Sequence, residues 1–144
     1  MNIIEVTELD DSIYKALIML IPQLSPGSMI PSKEEINEIV KSENCYLFVA
    51  KNTSDKIITS LTLVKYRIPT GLKVWIEDVV VDETERGKGI GKLLTLFAIN
   101  FAKKLGAKSL ELTSNPSRIA ANQLYQKLGF VKRETNVYRL YFND

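Results

Sequence analysis

The stretch of this chain best suited to chemistry runs Asp78-Val79-Val80-Val81-Asp82-Glu83-Thr84-Glu85-Arg86-Gly87-Lys88-Gly89-Ile90-Gly91-Lys92. A valine-rich strand enters a turn with glycine at three alternate positions, and those glycines open an amphipathic helix. Such a junction gathers backbone N–H groups at one spot, adds the positive end of a helix dipole and removes side chains that would keep an anion away. It is suited to holding a diphosphate. Two familiar phosphate motifs are excluded by spacing. A Walker loop needs glycine where Arg86 stands and Ser or Thr where Leu93 stands. The dinucleotide fingerprint needs a third glycine where Lys92 or Leu94 stands.

Other chemistries are bounded by what the chain contains. Its 144 residues are one domain's worth of sequence, and a single domain over 1–144 is expected. Hydrophobic content of 45% and charged content of 25% fit an ordinary globular protein. A net charge of +2 is too small to argue for nucleic acid or an anionic membrane as partner. The absence of histidine rules out Ser-His-Asp and Cys-His triads and leaves zinc without its usual ligand, so no metal is expected. Cys45, the single cysteine, lies in the apolar run Cys45-Tyr46-Leu47-Phe48-Val49-Ala50 and reads as a small buried hydrophobe. The first residues lack the basic flank and apolar core of a signal peptide, and no apolar run nears the about 20 residues of a membrane span. A cytoplasmic protein is the expectation.

The elements that must position the glycine turn follow from periodicity and punctuation. Residues 2–7 read as a strand, and Asp10 or Asp11 caps a helix to about Leu20. Residues 22–31 form a loop, and Ser32-Lys33-Glu34-Glu35 is a capping box for a helix to about Lys41. Residues 45–51 and 56–68 are strands joined by Asn52-Thr53-Ser54-Asp55, and residues 73–81 form a third long strand. The helix from Gly89 carries Ile90, Leu93, Leu94, Phe97, Phe101 and Leu105 at helical spacing and stops at Gly106. Residues 109–113 alternate as a strand, Asn115-Pro116 starts a helix ending at Gly129, and residues 137–142 form a final strand. This order predicts an α/β chain, a mixed sheet covered by helices, with a parallel pairing across the long central helix.

Arg86-x-x-Gly89-x-Gly91 after a valine-rich strand resembles the acyl-CoA pyrophosphate loop of the GNAT superfamily of N-acetyltransferases. Ala121-x-x-x-Tyr125-x-Lys127-x-Gly129-Phe130 is similar to that family's helix ending in a Gly-Phe turn. The resemblance covers residues 74–142, and over 1–70 it rests on element order. It implies a GNAT-type fold, a central mixed sheet of six to seven strands flanked by four helices, with acetyl-CoA as acyl donor. On that reading the diphosphate sits on the N–H groups of Gly87, Lys88, Gly89, Ile90, Gly91 and Lys92, with Arg86 and Lys92 adding charge. The pantetheine arm pairs like an extra strand with Val79, Val80 and Val81.

In the family, the stripe here formed by Arg118, Asn122 and Tyr125 borders the cofactor, and the matching tyrosine lies near the thioester sulfur. Tyr125 is therefore the candidate general acid for the departing thiolate, since phenols hold their proton at neutral pH. The plainer alternative is an amphipathic packing residue. Many family members carry Asn where Arg118 stands, with Asn115 or Asn122 as substitutes for that contact with the cofactor arm. An amine attacks only when neutral, so a carboxylate must take its proton. Glu77 and Asp78 are the acidic residues inside the central strand. Strict alternation puts Glu77 on the face of Val79 and Val81, making it the favoured base with Asp78 in reserve. The competing reading of Glu77 is an ion pair with Lys65 or Arg67.

The expected activity is direct acetyl transfer to a primary amine of a small molecule, with an acceptor site shaped by residues 22–31 and 68–72. Acetylation of a protein lysine or N-terminus, and a non-catalytic acyl-CoA sensor, are the alternatives. Family members are often homodimers, and nothing in this sequence forces one.

Overall fold

Four β-branched and aromatic runs pair in simple succession in the computed structural model, which describes residues 1–143. Strands β1 (Asn2–Glu5), β2 (Cys45–Lys51), β3 (Ile57–Ile68) and β4 (Gly71–Val81) form one antiparallel sheet in the order β1-β2-β3-β4. Helices α1 (Asp11–Leu24) and α2 (Lys33–Lys41) precede β2, and α3 (Ile90–Lys104) follows β4 through a 3₁₀ turn at Glu83–Glu85. By contacts the chain divides into two compact units, Met1–Thr113 and Ser114–Asp144. The first holds the sheet and three helices; the second holds α4 (Ile119–Lys127). No described helix is long and apolar enough to cross a membrane.

Cross-strand partners share a face of a sheet, so the register assigns each layer. On one face, α3 lays Phe97 and Phe101 edge-on against Phe48, with ring centroids 4.9 and 5.0 Å away, and Phe101 also meets Tyr46. Such ring pairs add about 0.5–1.5 kcal/mol each beyond the area they bury. On the other face, Leu17 and Leu20 of α1 and Ile36 of α2 close over Leu47, Val49, Ile57 and Val80. The Ser32 capping box forms as expected: its hydroxyl accepts from the Glu35 N–H, and Glu35 reaches back to the Ser32 N–H. Helix α1 runs past Pro22, because in a last turn the missing N–H costs one bond and the chain leaves the helix three residues on.

The sheet has four strands, not the six to seven expected. Residues 109–113 supply one parallel bridge, Glu111 opposite Trp75. There the Ile76 N–H donates to the Glu111 carbonyl (2.9 Å) and the Glu111 N–H to the Val74 carbonyl (3.0 Å). Pairing stops where β4 changes course. Thr62 pairs with Glu77 and Ser60 with Val80, so Leu61 faces both Asp78 and Val79 in a β-bulge, and Asp78 takes a left-handed φ of 50°. Residues 137–142 form no strand, and Val137, Tyr138, Leu140, Tyr141 and Phe142 stand exposed. Alternating hydrophobicity states what a segment can do beside a sheet edge without saying which edge it will find. The helix expected from Asn115 to Gly129 is shorter, since Asn115 and Ser117 build a turn before it.

Candidate active site

The bulge inverts the alternation used to choose a base. Glu77 lies opposite Thr62, which neighbours Leu47, and Val80 lies opposite Ser60, which neighbours Val49. Both therefore belong to the α1–α2 face, while Val81, opposite Thr59 and Ala50, belongs to the α3 face. Glu77 shares its face with Val80, not with Val81. Glu77 is exposed; even so, its carboxyl is shifted upward, by desolvation first and by the neighbouring Asp78 second, in the direction a general base needs. The alternative ion pair does not form among the described residues. Lys65 sits opposite Val74 and holds its ammonium 5.5 Å from the Tyr46 ring centroid.

Beyond Ile76, the outer edge of β4 has no strand partner among the described residues, leaving residues 77–81 along a free sheet edge. Val80 is buried and its carbonyl accepts from the Thr59 hydroxyl (2.7 Å); Val79 and Val81 are half-buried. The glycine turn comes next. Gly87 and Gly89 have φ of 79° and 80°, a region from which other L-residues are largely barred. Gly89 caps α3, whose first recorded hydrogen bond runs from the Leu93 N–H to the Gly89 carbonyl (3.2 Å). The N–H groups of Ile90, Gly91 and Lys92 thus have no helical acceptor and point out of the helix start. Gly91 is helical, so its conformation does not require glycine, and it weakens the helix by about 1 kcal/mol relative to alanine.

Charge around the turn is distributed unevenly. Lys88 pairs with Glu85 at 2.7 Å and the Arg86 Nε–H donates to the Val81 carbonyl (3.3 Å). Lys92 is exposed and makes no ion pair among the described residues. The base of the turn is fixed by Asp82, which is buried: its Oδ1 accepts from the Thr84 N–H and hydroxyl (both 3.0 Å), and its Oδ2 lies 3.4 Å from Lys56 Nζ. The Thr84 N–H is the main cause that holds its carboxyl below the ordinary 3.8. A lowered carboxyl pKa contributes stability that is complete above the unfolded value and is lost as pH falls through the folded one. Asp82→Ala should therefore cost about 1–2 kcal/mol near neutral pH, the loss of a buried cap. In denaturant titrations the gap to wild type should narrow below the ordinary carboxylate range; a gap that stays constant into acid would contradict this role.

The remaining expected residues lie in the second unit. Asn115 Oδ1 accepts from the Ser117 N–H (2.9 Å) and hydroxyl (2.8 Å), and Asn122 Nδ2 donates to the Asn115 carbonyl (3.0 Å). Both amides are thus engaged in starting α4, and Arg118 is its exposed cap residue. Tyr125 is half-buried near the helix end. There the Phe130 N–H donates to the Tyr125 carbonyl (3.0 Å) and the Gly129 N–H to the Gln126 carbonyl (3.1 Å), with Gly129 at φ 101°. This is a Schellman motif, whose usual apolar contact is here the Phe130 ring against the Tyr125 ring at 5.8 Å. The Gly-Phe pair therefore orients Tyr125. Cys45 is half-buried in β2 rather than fully buried.

The strand–turn–helix unit opens α3 beside a sheet edge without a strand partner among the described residues, and known proteins share the chain's fold. The model of the "Acetyltransferase (GNAT) family" matches residues 12–130. An uncharacterized N-acetyltransferase of Bacillus subtilis, YvbK, is 35% identical over 123 residues, covering 85% of this chain and 70% of the relative. The crystal structure of a transcriptional regulator from Bacillus halodurans C-125 superposes with a TM-score of 0.81 at 25% identity, covering 98% of this chain and 99% of that one. An aminoglycoside acetyltransferase from an uncultured soil metagenomic sample has the same fold, with a TM-score of 0.84 at 23% identity over 99% of this chain and 96% of its own. With its family pattern matched from the first helix to the Gly-Phe turn, this chain belongs to the GNAT family of acetyltransferases and is an N-acetyltransferase.

Proposed function

We propose that this chain, as one domain over residues 1–144, transfers the acetyl group of acetyl-CoA directly to a primary amine of a small molecule. The observation that carries the reading is the β4–α3 junction. It combines two left-handed glycines, a helical Gly91 with no conformational need of glycine, and three N–H groups without helical acceptors. A Cβ built on Gly87 or Gly89 meets nothing within 4 Å, so the space above these positions is open to a ligand. These residues suit a diphosphate, with Arg86 and Lys92 as the cations at its rim. Bound acetyl-CoA supplies an acyl group activated as a thioester. Val79, Val80 and Val81 offer backbone groups along the free edge for the pantetheine amides, and the family resemblance assigns contacts with the arm to Asn115, Arg118 or Asn122. Glu77 removes the proton that the attacking amine must lose, with Asp78 in reserve, and Tyr125 delivers a proton to the departing sulfur.

A thiol-release assay over polyamines, aminoglycosides, amino sugars, aminophosphonates and lysine peptides tests this. Turnover is expected with at least one small amine. Glu77→Gln should lower kcat/KM by about 10²-fold, the usual size of a lost general base, and abolish the acidic limb of its pH profile. Because the Glu77 carboxyl is raised, that limb should lie above the ordinary carboxylate range. Turnover confined to peptides would move the acceptor to protein. Acetyl-CoA binding without turnover on any amine would make the chain a sensor.

A further inference from the structure

We propose that Gln23, at the end of α1, is a positioning residue for the diphosphate loop, an inference that rests on the acetyl-CoA reading above. Gln23 lies in the last turn of α1, half-buried, sixty positions in sequence from the turn it touches. Its side-chain Oε1 accepts from the Glu83 N–H at 2.8 Å, and its Nε2 donates to the Met19 carbonyl at 3.3 Å. The two bonds assign the amide: the oxygen must face an N–H and the nitrogen a carbonyl. Glu83 opens the 3₁₀ turn that leads directly into Arg86 and Gly87. Glycine loses more backbone entropy on ordering than any other residue, so a segment with left-handed glycines at 87 and 89 gains most from anchors outside it.

The β2–β3 turn supplies two further anchors. Lys56 reaches Asp82, and Asn52 Nδ2 donates to Glu85 Oε1 (3.4 Å), the carboxylate that also holds Lys88. Gln23 differs from these in kind. It alone of the three holds a backbone N–H of the turn from a helix of the opposite layer, setting where the turn begins relative to the sheet face on which α1 packs. Pre-setting the turn lowers the entropy lost when the diphosphate is bound, so the contact acts on cofactor affinity.

The test compares wild type, Gln23→Leu, Gln23→Glu, Glu83→Pro and the Gln23→Leu/Glu83→Pro double variant by acetyl-CoA calorimetry and steady-state kinetics. Proline suits position 83, where it opens a helical turn after Asp82 in extended backbone, and it deletes the donor while leaving α1 intact. Gln23→Leu and Glu83→Pro should each raise the Kd and KM of acetyl-CoA by about threefold to tenfold, with kcat moving less than KM. The double variant should be no worse than either single one. Gln23→Glu keeps the acceptor oxygen for the Glu83 N–H but loses the donor to the Met19 carbonyl, so it should recover only part of the affinity lost in Gln23→Leu. If Gln23→Leu folds poorly, Glu83→Pro alone must show the KM effect. Wild-type affinity in the variants, or effects that multiply in the double variant, would overturn the proposal while leaving the acetyl-CoA reading intact. A wild type that does not bind acetyl-CoA would overturn both.

Discussion

Gly89→Asp should yield a folded protein that no longer binds acetyl-CoA. Gly89 caps α3 at φ 80°, and an added Cβ meets no neighbour within 4 Å, so the first side-chain atom is accommodated in the free protein. Its cost to folding is the strain of a left-handed residue, about 1–2 kcal/mol for most side chains and least for Asn and Asp. This chain already holds Asp55 and Asp78 at φ of 64° and 50°. What changes is the glycine turn, where a carboxylate replaces open space in front of the N–H groups proposed to hold a diphosphate. Repulsion there, added to lost close approach, should weaken binding by more than about 10²-fold, or about 2.7 kcal/mol. A melting curve near that of wild type with no acetyl-CoA-induced shift is the expected pair of results. A variant that binds normally would show that the turn merely starts a helix.

Tyr125→Phe is expected to act on the chemical step. The phenylalanine ring keeps the contact with Phe130 and leaves the backbone bonds of the Schellman motif untouched, so α4 should end as it does now. Only the hydroxyl is lost. If it protonates the departing thiolate, kcat should fall by about 10²–10³-fold, within the usual range for a general acid. The Kd of acetyl-CoA should stay within about twofold of wild type, since the hydroxyl acts on charge that develops only as the thioester breaks. Rapid-quench single-turnover rates would separate this from slow product release. Turnover within a factor of about three of wild type would make Tyr125 a packing residue.

The parts of this molecule readable in its sequence are those whose causes are local. The Ser32 box and the strand from Cys45 to Lys51 follow from residues within a few positions of one another, and both form at the expected boundaries. The backbone of the glycine turn is legible for the same reason: alternate glycines after a valine run mark a turn into a helix, and Gly87 and Gly89 take φ of 79° and 80°. The bulge at Asp78 and Val79 is not, because it is a property of how β4 meets β3. One signal pointed toward it, an aspartate inside a strand, since Asp is among the few residues that enter the left-handed region readily. Missing the bulge put Glu77 on the wrong face. Likewise nothing near Gln23 announces a partner sixty residues away, and the alternation of residues 137–142 names no edge for them to join.

The junction between β4 and α3 is the proposed holder of the diphosphate, and amide NMR of the isotopically labelled protein during titration with acetyl-CoA observes that junction directly. The largest and saturable shifts should fall on the N–H groups of Gly87 through Lys92, with smaller ones along 79–81, and 3′-phospho-ADP alone should reproduce the first set. Acetyl-CoA that leaves the amides of 87–92 unmoved while shifting others, or that shifts none, would contradict that role.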